Sequence, residues 1–102
     1  MRIEAVAASA LLLAASAPVA SLAAPGDNVS ARACARAGVE ASCIVITGDD
    51  GSVFNITAAN PKPPFDVKIQ LRGKVTDKLS ACNQGLVLEN IDWAPTQEKC
   101  GN

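Results

Sequence analysis

The side chains that could do chemistry in this chain are four cysteines and ten carboxylates, because it has no histidine and no tyrosine. Histidine is the usual general base near neutral pH, so its absence removes the commonest acid–base and nucleophile-activating arrangements. The cysteines are Cys34, Cys43, Cys82 and Cys100. Four cysteines in a short chain indicate an exported protein with two disulfides. A cysteine in a disulfide has no thiolate to offer for catalysis.

The sequence gives equally little support for a metal site or for catalysis by carboxylates. No two cysteines are separated by the two to four residues of a zinc-binding pair, and histidine is not available to complete such a site. Asp49 and Asp50 adjoin within a Gly-Asp-Asp-Gly turn, without the further oxygen ligands that a calcium loop requires. We therefore expect no metal, no cofactor and no enzymatic activity.

Binding is the remaining chemistry, and its candidates are three cations and one aromatic. Lys68, Arg72 and Lys74 recur at even spacing, which places them on one face of a strand, where they could meet a polyanion. A solvated face that discourages edge pairing explains the same pattern. Trp93 could stack on a ligand or close one end of the core. The net charge of −1 gives no general attraction to nucleic acid, which we do not expect as a partner.

Residues 1–23 have the pattern of a secretory signal. Arg2 precedes an apolar run from Ala5 to Ala17, and Ser21 and Ala23 are small residues at −3 and −1 of a cut before Ala24. The run is shorter than the roughly 20 residues that cross a bilayer. We therefore expect cleavage between Ala23 and Ala24, no membrane span in the mature chain, and a periplasmic or extracellular location.

The elements that must position these residues are strands, apart from one ambiguous segment. A β-branched run at 43–47, the Asp-Gly turn and residues 52–57 predict a hairpin. Residues 65–75 alternate between apolar and polar, with an expected bulge or bend at Gly73, and residues 86–91 form the last strand. Residues 30–37 alternate as a strand does, yet they are alanine-rich between Ser30 and Gly38, which suit the two ends of a helix.

Strands in this order suggest a small five-stranded Greek-key barrel of the OB type. The chain also resembles small exported bacterial proteins of OB-like pattern and unknown function. The resemblance covers residues 30–93 and rests on Val39–Cys43, Thr47–Phe54, the alternation from Val67 to Val75, and Cys82–Gly85. It implies that residues 30–37 are the first strand, and it implies no activity. Around this domain we expect a mobile mature N-terminus at 24–29 and a polar tail at 94–102.

The OB topology also suggests a disulfide pairing. Cys43 would end the loop between the first two strands and Cys82 would lie in the loop between the last two, and these loops flank one face of such a barrel. Cys34 in the first strand and Cys100 after the last would meet where the barrel closes. The predicted pairs are Cys43–Cys82 and Cys34–Cys100. The rival pairs, Cys34–Cys43 and Cys82–Cys100, remain open because sequence alone does not choose between them.

The expected function is therefore that of a non-catalytic secreted or periplasmic module that binds a protein or a cell-envelope component. The alternative is an OB-type binder of oligosaccharide or oligonucleotide, which would need stacking aromatics and a basic groove. Two sequons, Asn28-Val29-Ser30 and Asn55-Ile56-Thr57, would be glycosylated only in a eukaryotic secretory pathway.

Overall fold

The computed structural model describes residues 23–101, and it is all-β in this part of the chain. Its six strands are β1 (Asn28–Ala33), β2 (Arg36–Ala37), β3 (Ile44–Thr47), β4 (Val53–Asn55), β5 (Val67–Val75) and β6 (Leu86–Lys99). They form one mixed sheet in the order β1-β5-β6-β4-β3-β2. Only the β4–β6 pair is parallel, and β1 and β2 are the two edges, so strand pairing does not close the sheet into a barrel.

The core lies against the inward side of this curved sheet. Alternation along β5 buries Ile69, Leu71 and Val75 while Gln70 and Arg72 stay exposed, as the sequence pattern predicts. The remaining large core residues lie on the other strands or, for Ile56, directly after β4; they are Ile44, Ile46, Phe54, Ile56 and Leu88. Burial of aliphatic side chains from both halves of the sheet holds the halves together.

The ambiguous segment at 30–37 is extended and divided into two strands. β1 pairs with β5, and after Cys34 and Ala35 the chain continues as β2, which pairs with β3. Ala35 is buried, so the break is anchored in the core. The helix propensity of the alanines is overcome because each half has a ladder of its own to join. This division accounts for six strands where five were expected.

The predicted bulge at Gly73 is confirmed, and its extra residue lies on the neighbouring strand. Arg72 is opposite Asp92 and Lys74 is opposite Glu89, so one residue of β5 faces two of β6. A Cβ on Gly73 would lie only 3.1 Å from the Leu88 side chain. A larger residue here would force Leu88 to shift, because the Leu88 side chain packs directly against the glycine backbone.

Both ends of the domain differ from the expectation. Residues 24–27 form a turn in which the Asp27 N–H donates to Ala24 O, and this turn is bonded to Val75 of β5. β1 then begins at Asn28, inside the segment expected to be mobile. β6 extends to Lys99, so most of the expected polar tail is strand. Its polar composition is explained by its position, because beyond Val87 β6 pairs only with β5.

Candidate functional site

Two disulfides organise the surface of the domain. Cys34 is bonded to Cys100 and Cys43 to Cys82, each with a Cα–Cα distance of 5.9 Å. The predicted pairing is thereby confirmed, and intramolecular bridges of this kind are typical of oxidising, extracytoplasmic compartments. Cys43–Cys82 joins loop 38–43 to loop 76–85, and we call these two joined loops the clasp.

Hydrogen bonds to β4 hold the clasp on the sheet. Asn55 is 1% exposed, and its Nδ2 donates to Cys82 O at 2.7 Å and to Ser80 Oγ at 3.3 Å. Its Oδ1 accepts from the Thr57 N–H at 3.0 Å, so the buried amide is satisfied. Within the clasp, the Val39 N–H donates to Gln84 Oε1 at 2.9 Å.

This arrangement covers the side of β3 and β4 that faces away from the core. Asn55 and its cross-strand partner Val45 alternate with the core residues Ile46 and Phe54, and both are nevertheless buried. Here the clasp occupies that surface, and the burial of Asn55 also makes its sequon inaccessible in the folded chain.

The three predicted cations lie on the outward face of β5, where acidic side chains accompany them. Lys68 Nζ is 3.5 Å from Glu98 Oε1, and Arg72 Nη2 is 3.7 Å from Asp92 Oδ2. Lys74 makes no ion pair with any of residues 23–101, but Glu89 is opposite it on β6. Because neighbouring carboxylates compensate these charges, the face favours the interpretation of a solvated surface over that of a polyanion site.

Glu98 links two strands on this face. Its Oε2 is 3.4 Å from Arg32 Nη2 of β1, and its Oε1 approaches Lys68. The positive charge of Arg32, followed by that of Lys68, lowers the pKa of the Glu98 carboxyl below its usual value. A bulge positions Glu98 there, with the Thr96 hydroxyl donating to Lys68 O at 2.8 Å.

Trp93 does not join the cations. It is opposite the fully buried Leu71 in the β5–β6 ladder and therefore projects to the core side of the sheet. The ring is half-buried against the core, and its Nε1 donates to Pro61 O at 2.8 Å. Packing against the core favours the structural role considered for Trp93 over the role of stacking on a ligand.

Acidic groups in the described residues also do not assemble a metal site. Ligand atoms of Glu40, Cys43 and Cys82 lie within 4.8 Å of one another, but both sulfurs are engaged in the disulfide. The Asp50 side chain caps its own turn by accepting from the Ser52 N–H at 2.9 Å, and this hydrogen bond lowers the pKa of its carboxyl.

Sequence reasoning missed one surface, a cleft of about 630 Å³ between β1 and the β3–β4 turn. We call this cleft the seam. The seam exists because the chain pairs with β5 before Cys34 and with β3 after Ala35. The edge of β1 that faces β3 therefore has no strand paired to it. The signal in the sequence was the conflict between strand alternation and helix composition at 30–37.

Comparison with known proteins gives no relative from which function could be transferred. Neither a protein-family model, nor a curated protein, nor a solved structure matches this chain. Among residues 23–101 no helix is long and apolar enough to cross a membrane. The predicted signal segment lies outside the described residues, except for Ala23 at its end.

Proposed function

We propose that this chain is an exported, non-catalytic module that binds another protein through the clasp. Export to the periplasm or beyond is supported by the two disulfides and by the signal-like residues 1–23. A role in binding, and not in catalysis, is supported by the lack of histidine in the sequence and by the bonding of all four cysteines.

An OB-like architecture would explain why the clasp is the binding end. The order β1-β5-β6-β4-β3-β2, the parallel β4–β6 pair, and the two-residue gap between β1 and β2 fit an OB-type barrel whose first strand is bent. In that interpretation loops 38–43 and 76–85 are the two loops that flank the ligand site of such barrels.

The observation that carries the proposal is the exposure of large apolar side chains on loops that are fixed in place. Leu79 is 96% exposed and Val39 is 88% exposed, one on each loop of the clasp. A disulfide and the Asn55 amide hold these loops before any partner arrives, so less conformational entropy is lost on binding. Apolar residues on preorganised loops suit a protein surface better than a sugar or a nucleic acid, which would need exposed aromatic platforms.

The test compares binding by the mature protein and by the double variant Val39→Ser, Leu79→Ser. The immobilised proteins are presented with an envelope extract of the source organism, and the retained partner is identified and its dissociation constant measured. We expect at least a tenfold weaker complex for the double variant. Phe65→Ser is the matched control, because Phe65 is 48% exposed and lies beside the other disulfide. Equal loss in the control, or no loss in the double variant, contradicts the proposal.

Two further measurements separate the alternatives. Glycan and single-stranded DNA arrays, read together with quenching of Trp93 fluorescence, test the hypothesis of an OB-type oligomer binder. Saturable binding on these arrays, with no protein partner retained, would favour that hypothesis.

N-terminal sequencing of the exported form should return Ala24 as the first residue, whereas Met1 would contradict export with cleavage.

A further inference from the structure

The seam borders the open edge of the sheet. The Val75 N–H donates to Asp27 O at 2.9 Å, which places the residue pair 27/75 at a hydrogen-bonded position at the start of the β1–β5 ladder. Bonded and non-bonded pairs alternate in an antiparallel ladder, so Val29, Ala31 and Ala33 direct their backbone groups toward β5. The N–H and C=O groups of Asn28, Ser30 and Arg32 consequently point the other way, into the seam.

These residues are exposed, and among residues 23–101 their backbone groups have no hydrogen-bond partner on the seam side. Asn28, Ser30 and Arg32 are all exposed, and no backbone bond joins any of them to another of residues 23–101 outside the β1–β5 ladder. An open row of donors and acceptors is a template for a further strand. The β3–β4 turn stands across the cleft from this row, so the opening has two walls and a volume that suits one extended segment.

The charge of the seam selects the kind of segment. Asp27, Asp49 and Asp50 line it, and Arg32 is the one cationic side chain among its lining residues. In a mature chain that begins at Ala24, the charged α-amino group of Ala24 lies 2.8 Å from Asp27 Oδ2 and compensates that carboxylate. The Arg32 guanidinium is already paired with Glu98 on the outward face of the sheet. The carboxylates of the β3–β4 turn are therefore left to attract a positively charged occupant.

We propose that the seam is a second binding site, distinct from the clasp, that accepts an extended cationic peptide segment of a partner protein by β-strand addition to β1. The backbone of the segment bonds to Asn28, Ser30 and Arg32. Its alternate side chains, lysine or arginine, lie near Asp49 and Asp50. Small residues on the opposite side of the segment face Phe54, which lines the floor of the cleft.

The experiment uses the mature protein and a seven-residue peptide of alternating lysine and valine, with binding followed by NMR titration. We expect the amides of Ser30 and Arg32 to shift and to become protected from hydrogen exchange. The matched ligand is the same peptide with alternate backbone nitrogens methylated, which keeps its charge but removes the donors. At least tenfold weaker binding of the methylated peptide supports strand addition, and equal binding overturns it.

Variants of the chain test each wall separately. Ser30→Pro removes one N–H from the open edge without removing a bond to β5, and it should weaken the peptide at least tenfold. Asp49→Asn should weaken it about threefold at low salt, while Asp66→Asn, at an exposed acid outside the seam, should leave it unchanged. Peptide affinity that is equal in Asp49→Asn and Asp66→Asn overturns the charge argument. If Ser30→Pro does not fold, the methylated peptide decides the question of strand addition.

Discussion

Replacement of Asn55 by alanine tests whether one buried amide fixes the clasp to the sheet. The substitution removes three hydrogen bonds, to Cys82 O, Ser80 Oγ and the Thr57 N–H. Each contributes about 1 kcal/mol net, and a buried partner left unpaired costs more. We therefore expect the free energy of unfolding to fall by about 3 kcal/mol, a large part of the 5–15 kcal/mol that is typical of a small domain.

The assay is urea unfolding, combined with the rate of tryptic cleavage at Lys78 in the clasp. Asn83→Ala is the control, because Asn83 is an exposed residue of the same loop. Cleavage at Lys78 should accelerate for Asn55→Ala under native conditions and stay unchanged for the control. A loss below about 1 kcal/mol, with unchanged cleavage, would refute the role assigned to Asn55.

Asn55→Asp adds a dependence on pH. The new carboxylate can still accept from the Thr57 N–H, but it cannot donate to Cys82 O, and the site is 1% exposed. Burial raises the pKa of such a carboxyl in the folded state above its unfolded value of about 3.9. The variant should therefore be most stable below about pH 4 and should lose stability as the pH rises through the higher folded-state pKa. A variant whose stability relative to the parent does not change between pH 3 and pH 7 contradicts this reasoning.

Three further outcomes are expected. Gly85→Ala should unfold at a lower urea concentration and disturb the parallel β4–β6 pair, as measured by circular dichroism and urea unfolding. Gly85 has a φ of 73°, and a Cβ there would overlap the Val53 carbonyl group. Removal of the Cys34–Cys100 bridge by paired alanine substitutions should cost about 4 kcal/mol in the chain-entropy model, measured by the same unfolding experiment, with no change in the native spectrum. Arg32→Gln should raise the pKa of Glu98 in a carboxyl NMR titration. Neighbouring cations lower the pKa of Glu98 in the folded state from its ordinary value of 4.5. The stabilisation from Glu98 is therefore present above about pH 4.5 and is lost as the pH falls through the lower folded-state pKa. High salt should make this effect smaller.

The all-β class was predictable because hydrophobic alternation reports directly on burial. The disulfide pairs were predictable only through an assumed OB topology, because cysteine position alone does not choose among the three possible pairings. Residues 67–75 show which face is buried without any tertiary information. The irregularity at Gly73 was also predictable, although the sequence did not show that the extra residue lies on β6.

Other features depend on contacts that the sequence does not encode locally. The extension of β6 to Lys99 was missed, because a strand with water on its outer side and a single neighbour has no reason to be apolar. Trp93 and the cations Lys68, Arg72 and Lys74 are all binding candidates from the sequence, but pairing with Leu71 places the indole on the opposite side of the sheet from the cations. The acidic partners of these cations are not evident from the sequence, since Glu98 lies in the expected tail at 94–102 and Asp92 lies just beyond the expected last strand at 86–91.

The nesting of one disulfide within the other has a consequence for proteolysis. Cys43 and Cys82 lie between Cys34 and Cys100, so every peptide bond from residue 34 to residue 100 belongs to at least one covalent ring. A single proteolytic cut anywhere in that span opens a ring but leaves one molecule, heavier only by the water that was added. The nicked chain migrates as a single species without a reducing agent and separates into two fragments with one. An envelope protease that cuts the clasp once therefore changes the covalent structure of its surface without releasing any piece of the domain.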